Sequence, residues 1–256
     1  MTQYELHDKF LTEHIVRIYA ESDGRFGANK VFQKLTSLGI RTSLGKVSSL
    51  MKSLNLKSKR RNSPIRTNDA PKAFYYKNKL EQNFNQSAPN KFWVGDTTCI
   101  IIDKNRYYLC VVMELFSRKI LAYELSIRNN SALTVNTFKK AFESRNFPQG
   151  LTFHSDQGAN CTSEQYVSLL KTLKVEQSFS QRGTPYDNAV IESFFSNMKR
   201  DDLHSRHFEY FDDLVDAVKN YIEHYNSYRP HAALGYKTPD QFENEYFDQI
   251  AVNNDN

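Results

Sequence analysis

The stretch from Leu151 to Arg200 constrains the fold more than any other part of the chain. It reads LTFHSDQGANCTS, then an apolar run at helical spacing, then SFSQRGTPYDNAVIESFFSNMKR. Leu151, Thr152 and Phe153 form a short β-type run that opens into a polar, glycine-containing turn carrying Asp156. After Pro185, the residues Ile191, Phe194, Phe195 and Met198 recur at helical spacing and predict a helix with a core-facing side. Asn188, Glu192, Ser196 and Lys199 fall on its other side. One carboxylate is thus offered from a strand end and another from the polar side of a helix. A third candidate, Asp96, lies upstream in FWVGDTTCIII, inside a strongly β-patterned run. By pattern alone the chain is mixed α/β.

Three acids on rigid elements suit one chemistry. Hard divalent cations such as Mg²⁺ prefer oxygen ligands and leave places for phosphate oxygens. Two such ions about 4 Å apart activate an attacking oxygen and stabilise the leaving one in an in-line displacement. Taken singly, each acid also has a plain reading. A strand-end Asp commonly caps a turn, and a helical Glu is commonly solvated.

The words around the acids are more specific than the acids themselves. FHSDQG at 153–158, TS at 162–163, GTPYDNAVIESFF at 183–195 and YNSYRPHAALGYKTP at 225–239 occur in that order, with 35 residues between Asp156 and Glu192. Together they resemble the OrfB part of insertion-sequence transposases of family three, which are made from two overlapping frames, OrfA and OrfB. That family belongs with the DDE transposases and retroviral integrases. The resemblance covers nearly the whole chain, and Asp96, Asp156 and Glu192 match the family's three metal-binding catalytic acids. It implies an RNase H-like core, a mixed five-stranded sheet with helices, in which the strand of Asp96 lies beside that of Asp156. It implies Mg²⁺ as cofactor, with Mn²⁺ as substitute, and cleavage and strand transfer at element ends. The implied partners are double-stranded DNA (terminal inverted repeats and target), OrfA or an OrfA–OrfB fusion, and further copies of the chain on DNA. The implied location is the bacterial cytoplasm, at the nucleoid. Two other readings stay open: a nuclease of the same fold that cuts without joining, and a DNA-binding regulator using the first 90 residues.

The charge is uneven. Residues 1–91 carry 17 Lys and Arg against 7 Asp and Glu, whereas the remainder carries 17 against 22. A basic amino-terminal third joined to a more acidic remainder suggests DNA gripped at one end and processed at the other. No apolar run approaches a membrane span, and the start, MTQYELHDKF, lacks the apolar segment of a secretory leader. Cys99, Cys110 and Cys161 are odd in number and widely spaced, which fits reduced thiols and no metal pattern.

Along the chain, residues 1–60 predict three short helices. Ile15, Ile18 and Tyr19 mark the first. Val31, Phe32 and Leu35 mark the second, which ends near Gly39. Ser43 caps the third, with Val47, Leu50, Met51 and Leu54 inward. This fits a helix-turn-helix, also resembled by DGRFGANKVFQKL and the words after it, although the commoner family wording differs at 28–31. Lys46 and Lys52 lie on the open side of the third helix as DNA contacts. Residues 61–90 read as a basic linker; the charge cluster spanning its start includes Lys59, Arg60 and Arg61, suited to phosphates.

The catalytic core is expected over 91–200 in the order β-β-β-α-β-α-β-α, the three first strands forming a meander. His154 and Gln157 flank Asp156. Either could orient a carboxylate or a water, and His154 could equally be a packing residue. Gly158 is expected to let DNA backbone approach, and Asp187 to cap the Glu192 helix. Asn188, Lys199 and Arg200 are candidate DNA contacts on that helix. Glu114, where relatives more often have Asp, is expected outside the metal site. Residues 201–256 form a helical extension: a long amphipathic helix with Phe211, Leu214, Val215, Val218, Ile222 and Tyr225 inward, then a short helix begun by Thr238-Pro239, then a disordered polar tail, AVNNDN.

Overall fold

The computed structural model describes residues 3–58, 77–181 and 185–254. Lys59, Arg60 and Arg61 lie outside the described residues. Three helices open the chain: α1 (Gln3–Glu21), α2 (Ala28–Ser37) and α3 (Leu44–Ser53). The Ser43 hydroxyl accepts the Lys46 N–H and satisfies a free donor at the start of α3. Gly39 takes φ +74°, the left-handed conformation that ends α2. Ile15, Ile18, Phe26, Val31, Leu35, Val47 and Met51 close a small core of their own. Leu54, expected inward, is the C-cap of α3 and is exposed.

The expected linker does not stay a tether along its whole length. From Lys77 onward the chain is held to the core. Leu80 is buried in it, and Lys79 N–H donates to Ser178 Oγ at 2.8 Å.

Five strands follow in the order β3-β2-β1-β4-β5 across one sheet. They are β1 (Phe92–Ile102), β2 (Asn105–Glu114), β3 (Ile120–Ser126), β4 (Thr152–Ser155) and β5 (Glu176–Phe179). β1, β2 and β3 form the antiparallel meander, while β4 and β5 run parallel to β1. Asp103 and Lys104, both at positive φ, make the two-residue turn from β1 to β2, the geometry that matches strand twist. Alternation along β1 sends Trp93 to one face, against α4 (Ser131–Ser144) and α5 (Glu164–Thr172). It sends Val94 and Ile100 to the other, against α6 (Ala189–Asp201) and α7 (Phe211–Ser227).

α7 buries Leu214, Val218, Ile222 and Tyr225 as expected, and also Ala217 and Tyr221. The final helix, α8 (Pro239–Asn254), is sixteen residues long rather than short. It takes up residues 251–254, expected to be disordered. A capping box starts it, in which Gln241 N–H donates to Thr238 Oγ1 and Thr238 N–H to Gln241 Oε1. The amino-terminal helices dock on the end of α7. Phe26 stacks on Tyr228, the Tyr228 hydroxyl donates to Glu21 at 2.6 Å, and Arg25 pairs with the buried Asp202 at 2.5 Å.

Candidate active site

Parallel pairing of β1 and β4 sets Gly95 opposite Ser155. The next residue on each strand is an acid, Asp96 and Asp156, so the two arrive at one level of the sheet. Both line a cleft of about 220 Å³ with Thr97, Asn129, Asn160 and Cys161. Gly95 is required here because a Cβ would meet the Phe153 ring at 2.3 Å. Gly158 is required by Asp156 itself. Its N–H donates to Asp156 Oδ1 at 3.0 Å, and a Cβ would stand 2.9 Å from the same oxygen. The expected role for Gly158, close approach of DNA backbone, therefore gives way to a local one.

Asp96 Oδ1 accepts the Thr97 N–H at 2.7 Å. Burial pushes the Asp96 carboxyl up to about 7, and the charges of Asp156 and Glu192 push the same way, against the Thr97 N–H and Lys199. Glu192 thus acts electrostatically on Asp96. It does not line the Asp96–Asp156 cleft; it sits on the exposed side of α6, its own carboxyl raised by partial burial. Among the described residues no three His, Cys, Asp or Glu side chains stand close enough to hold a metal ion. Two acids are gathered and the third stands off. The donor set still suits a hard cation: all-oxygen ligands, open to one side, with mutual repulsion that a divalent charge relieves.

The neighbouring candidates take other places. His154 is fully buried, its Nδ1 2.8 Å from Ser178 Oγ and its Nε2 unpartnered. Burial lowers it to about 4, and its hydrogen bond goes to Ser178 rather than to Asp156. Gln157 Nε2 donates to the Ser180 carbonyl at 3.0 Å and fastens the turn to the end of β5. Asp187 does not cap α6. It is buried and accepts from Asn78 Nδ2, Gln82 Nε2 and the Gln181 N–H.

The cap position belongs to Asn188, which is buried and makes no capping bond. Lys199 Nζ donates to Thr98 Oγ1 at 2.6 Å and to the Cys99 carbonyl at 2.7 Å, clamping α6 to β1. Arg200 pairs with Asp201 at 3.1 Å, and Lys46 with Asp8 at 2.6 Å, whereas Lys52 is exposed. Glu114, as expected, lies apart from the acids: it is fully buried and accepts from Trp93 Nε1 and from the Asn90 and Phe116 N–H groups.

Sequence reasoning missed the Lys199 clamp, the Asp187 hub and the polar lining from Asn129 and Asn160. The β-pattern of FWVGDTTCIII held one usable signal, since Thr98 shares the Asp96 side of the strand and needs a polar partner.

The chain also matches known proteins along most of its length. Residues 86–185 and 173–239 match the integrase core domain, and residues 5–64 match an HTH-like domain. The chain is 34% identical over 244 residues to the transposase for insertion sequence element IS904 of Lactococcus lactis, covering 94% of this chain and 96% of that one. It is 33% identical over 236 residues to transposase InsF for insertion sequence IS3A of Escherichia coli, covering 90% and 81%. Among solved structures, the simian T-cell lymphotropic virus intasome in complex with PP2A regulatory subunit B56 gamma matches with TM-score 0.53 at 17% identity, covering 82% of this chain and 73% of that one. That likeness establishes the integrase-type, RNase H-like fold. With two relatives matched along most of their length, the chain belongs to the IS3 family of insertion-sequence transposases, of the OrfB type.

Proposed function

We propose that this transposase cuts and joins DNA strands at insertion-sequence ends, with Asp96, Asp156 and Glu192 as its catalytic acids. The observation that carries the assignment is the meeting of Asp96 and Asp156 in one open cleft. A hard divalent cation, Mg²⁺ or Mn²⁺, held by these carboxylates would supply the charge that activates an attacking oxygen and stabilises a leaving one. The protein's own part is positional. Thr97 N–H and Gly158 N–H fix one oxygen of each Asp. Glu192 must turn in from α6 to complete the set. The same site then serves two displacements: water attacks the strand at the element end, and the freed 3′-hydroxyl attacks a second phosphodiester.

In this scheme residues 1–60 grip double-stranded DNA, with the exposed Lys52 as a contact. Residues 91–200 carry the chemistry and 201–256 brace it. OrfA, or an OrfA–OrfB fusion, and further copies of the chain complete the assembly on the inverted repeats and target.

A labelled oligonucleotide with a free 3′-hydroxyl tests the scheme, because products longer than the input require joining. Asp96→Asn, Asp156→Asn and Glu192→Gln should each abolish joining while DNA binding persists. Cleavage that survives one substitution removes that residue from the site. Cutting by the wild type with no longer product would make the protein a nuclease.

A further inference from the structure

A second cleft, of about 490 Å³, opens on the flank of α6 and shares no lining residue with the Asp96–Asp156 cleft. Ser193 and Asn197 line it from α6, one helical turn apart. Arg118 lines it from the turn between β2 and β3, Arg229 and His231 from the segment after α7, and Lys30 from α2.

Arg118 is the unusual member. It is only 7% exposed, its Nη1 is buried without a hydrogen-bond partner, and no acid among the described residues pairs with it. It also holds φ +60°, a left-handed backbone that a side chain disfavours. A guanidinium stays protonated under all ordinary conditions. Burying one without a counter-charge is costly, so its partner is to be sought outside the chain. His231 Nε2 is likewise buried and unpartnered; burial first, and then the charges of Arg229, Lys30 and Arg118, push that ring's pKa down. Among the described residues, the acid seen to pair with the cleft's arginines is Asp201, which meets Arg229 at 3.4 Å and is shared with Arg200. Among the described residues, Arg118 is thus left without a counter-charge.

We infer that this cleft takes a backbone phosphate of DNA, with Arg118 and Arg229 as its charge partners and Ser193 as a neighbouring hydroxyl. The inference rests on the transposase assignment above and extends it. Ser193 follows Glu192 in α6, so a strand held here runs along the helix that carries the third acid. Lys30 comes from the helix-turn-helix region, so the same phosphate joins that region to the catalytic core. Arg118 and Arg229 are positioning residues in this scheme, because they grip the strand away from the reacting atoms.

The test is fluorescence anisotropy with the full chain in chelator, on an element-end duplex and on a scrambled duplex. Arg118→Gln should weaken both by about tenfold, and the slope of log K against log salt should shrink by about one, the signature of one lost phosphate contact. Ala233 is exposed on the rim. Ala233→Glu should weaken both duplexes too, which guards against a misfolded Arg118 variant. Inorganic phosphate should compete with duplex on the wild type and not on Arg118→Gln.

Unchanged duplex affinity and salt slope in both variants overturn the inference. So does phosphate binding lost in Arg118→Gln while duplex affinity stays the same, which would make the cleft a free-anion site. Altered self-association with intact DNA binding overturns it in favour of a protein carboxylate. Loss of joining in Asp156→Asn beside normal binding by Arg118→Gln would sink this cleft alone. Joining retained in all three acid variants would sink the transposase chemistry instead.

Discussion

Gly158→Ala is expected to disarm the protein without unfolding it. The new methyl carbon would stand 2.9 Å from Asp156 Oδ1, 3.3 Å from Oδ2 and 3.4 Å from Cγ. The first distance is short of van der Waals contact by roughly 0.5 Å. The carboxylate is the movable partner, because it ends a side chain exposed on one side. Turning it away breaks the 3.0 Å bond from Gly158 N–H, a charge-assisted bond worth about 1.5–3 kcal/mol when intact. Most of that is regained from water, so thermal stability should fall by less than about 1 kcal/mol. Catalysis has no such substitute. Misplacing a catalytic group by a fraction of an ångström, at about 1.4 kcal/mol per tenfold in rate, should slow strand transfer by about 10- to 100-fold. The assay is single-turnover joining of a labelled element end, run beside a melting curve and a binding isotherm. Wild-type joining by Gly158→Ala would refute the reasoning, and so would a loss of DNA affinity that matched the loss of rate.

Three further outcomes are expected. Asp96 holds its proton up to about 7 in the folded chain against an ordinary 3.8. The folded state therefore binds more protons between those values, and stability drains away as pH rises through that window. Asp96→Asn should melt higher than wild type at about pH 8 in chelator, by on the order of 2 kcal/mol since Asp96 keeps some surface in water, and should lose that advantage near pH 4; a pH-independent difference would contradict this. Gly95→Ala drives a methyl into the Phe153 ring at 2.3 Å and should cost about 1–3 kcal/mol in urea unfolding, with Phe153→Leu recovering part of it in the double variant. Asp187→Ala strands the donors of Asn78, Gln82 and Gln181; it should cost about 3 kcal/mol and raise amide exchange in residues 77–84 before exchange rises elsewhere.

The candidate acids stand out in the sequence because they lie in distinctive words, and the spacing of Ile191, Phe194, Phe195 and Met198 settles which side of α6 stays polar. The three-helix start, the meander and the Ser43 cap were legible for the same reason, since each is written in a few consecutive residues. What failed to show was pairwise and distant. Lys199 reads as a free cation on a polar helix face, and only the meeting of α6 with β1 reveals that Thr98 and Cys99 occupy it. Asn188 falls on the polar side of the helical wheel, yet the approach to α6 buries it. Gly158 reads as an opening for a ligand, while the side chain two residues before it fills the space. α8 runs past its expected end because AVNN has no breaker, and low apolar content alone does not stop a helix.

Asp96 lies in β1 and Asp156 directly follows β4, the parallel strand beside it. Glu192 belongs to a different layer, and its height above them is set by the thickness of the filling between: Val94, Ile191, Phe194, Phe195 and Met198. Those oily side chains are therefore the spacer of the proposed reaction centre. Swapping one for a bulkier neighbour would retune the gap between the acids, and with it the preference between a smaller and a larger ion, while leaving every charged group untouched.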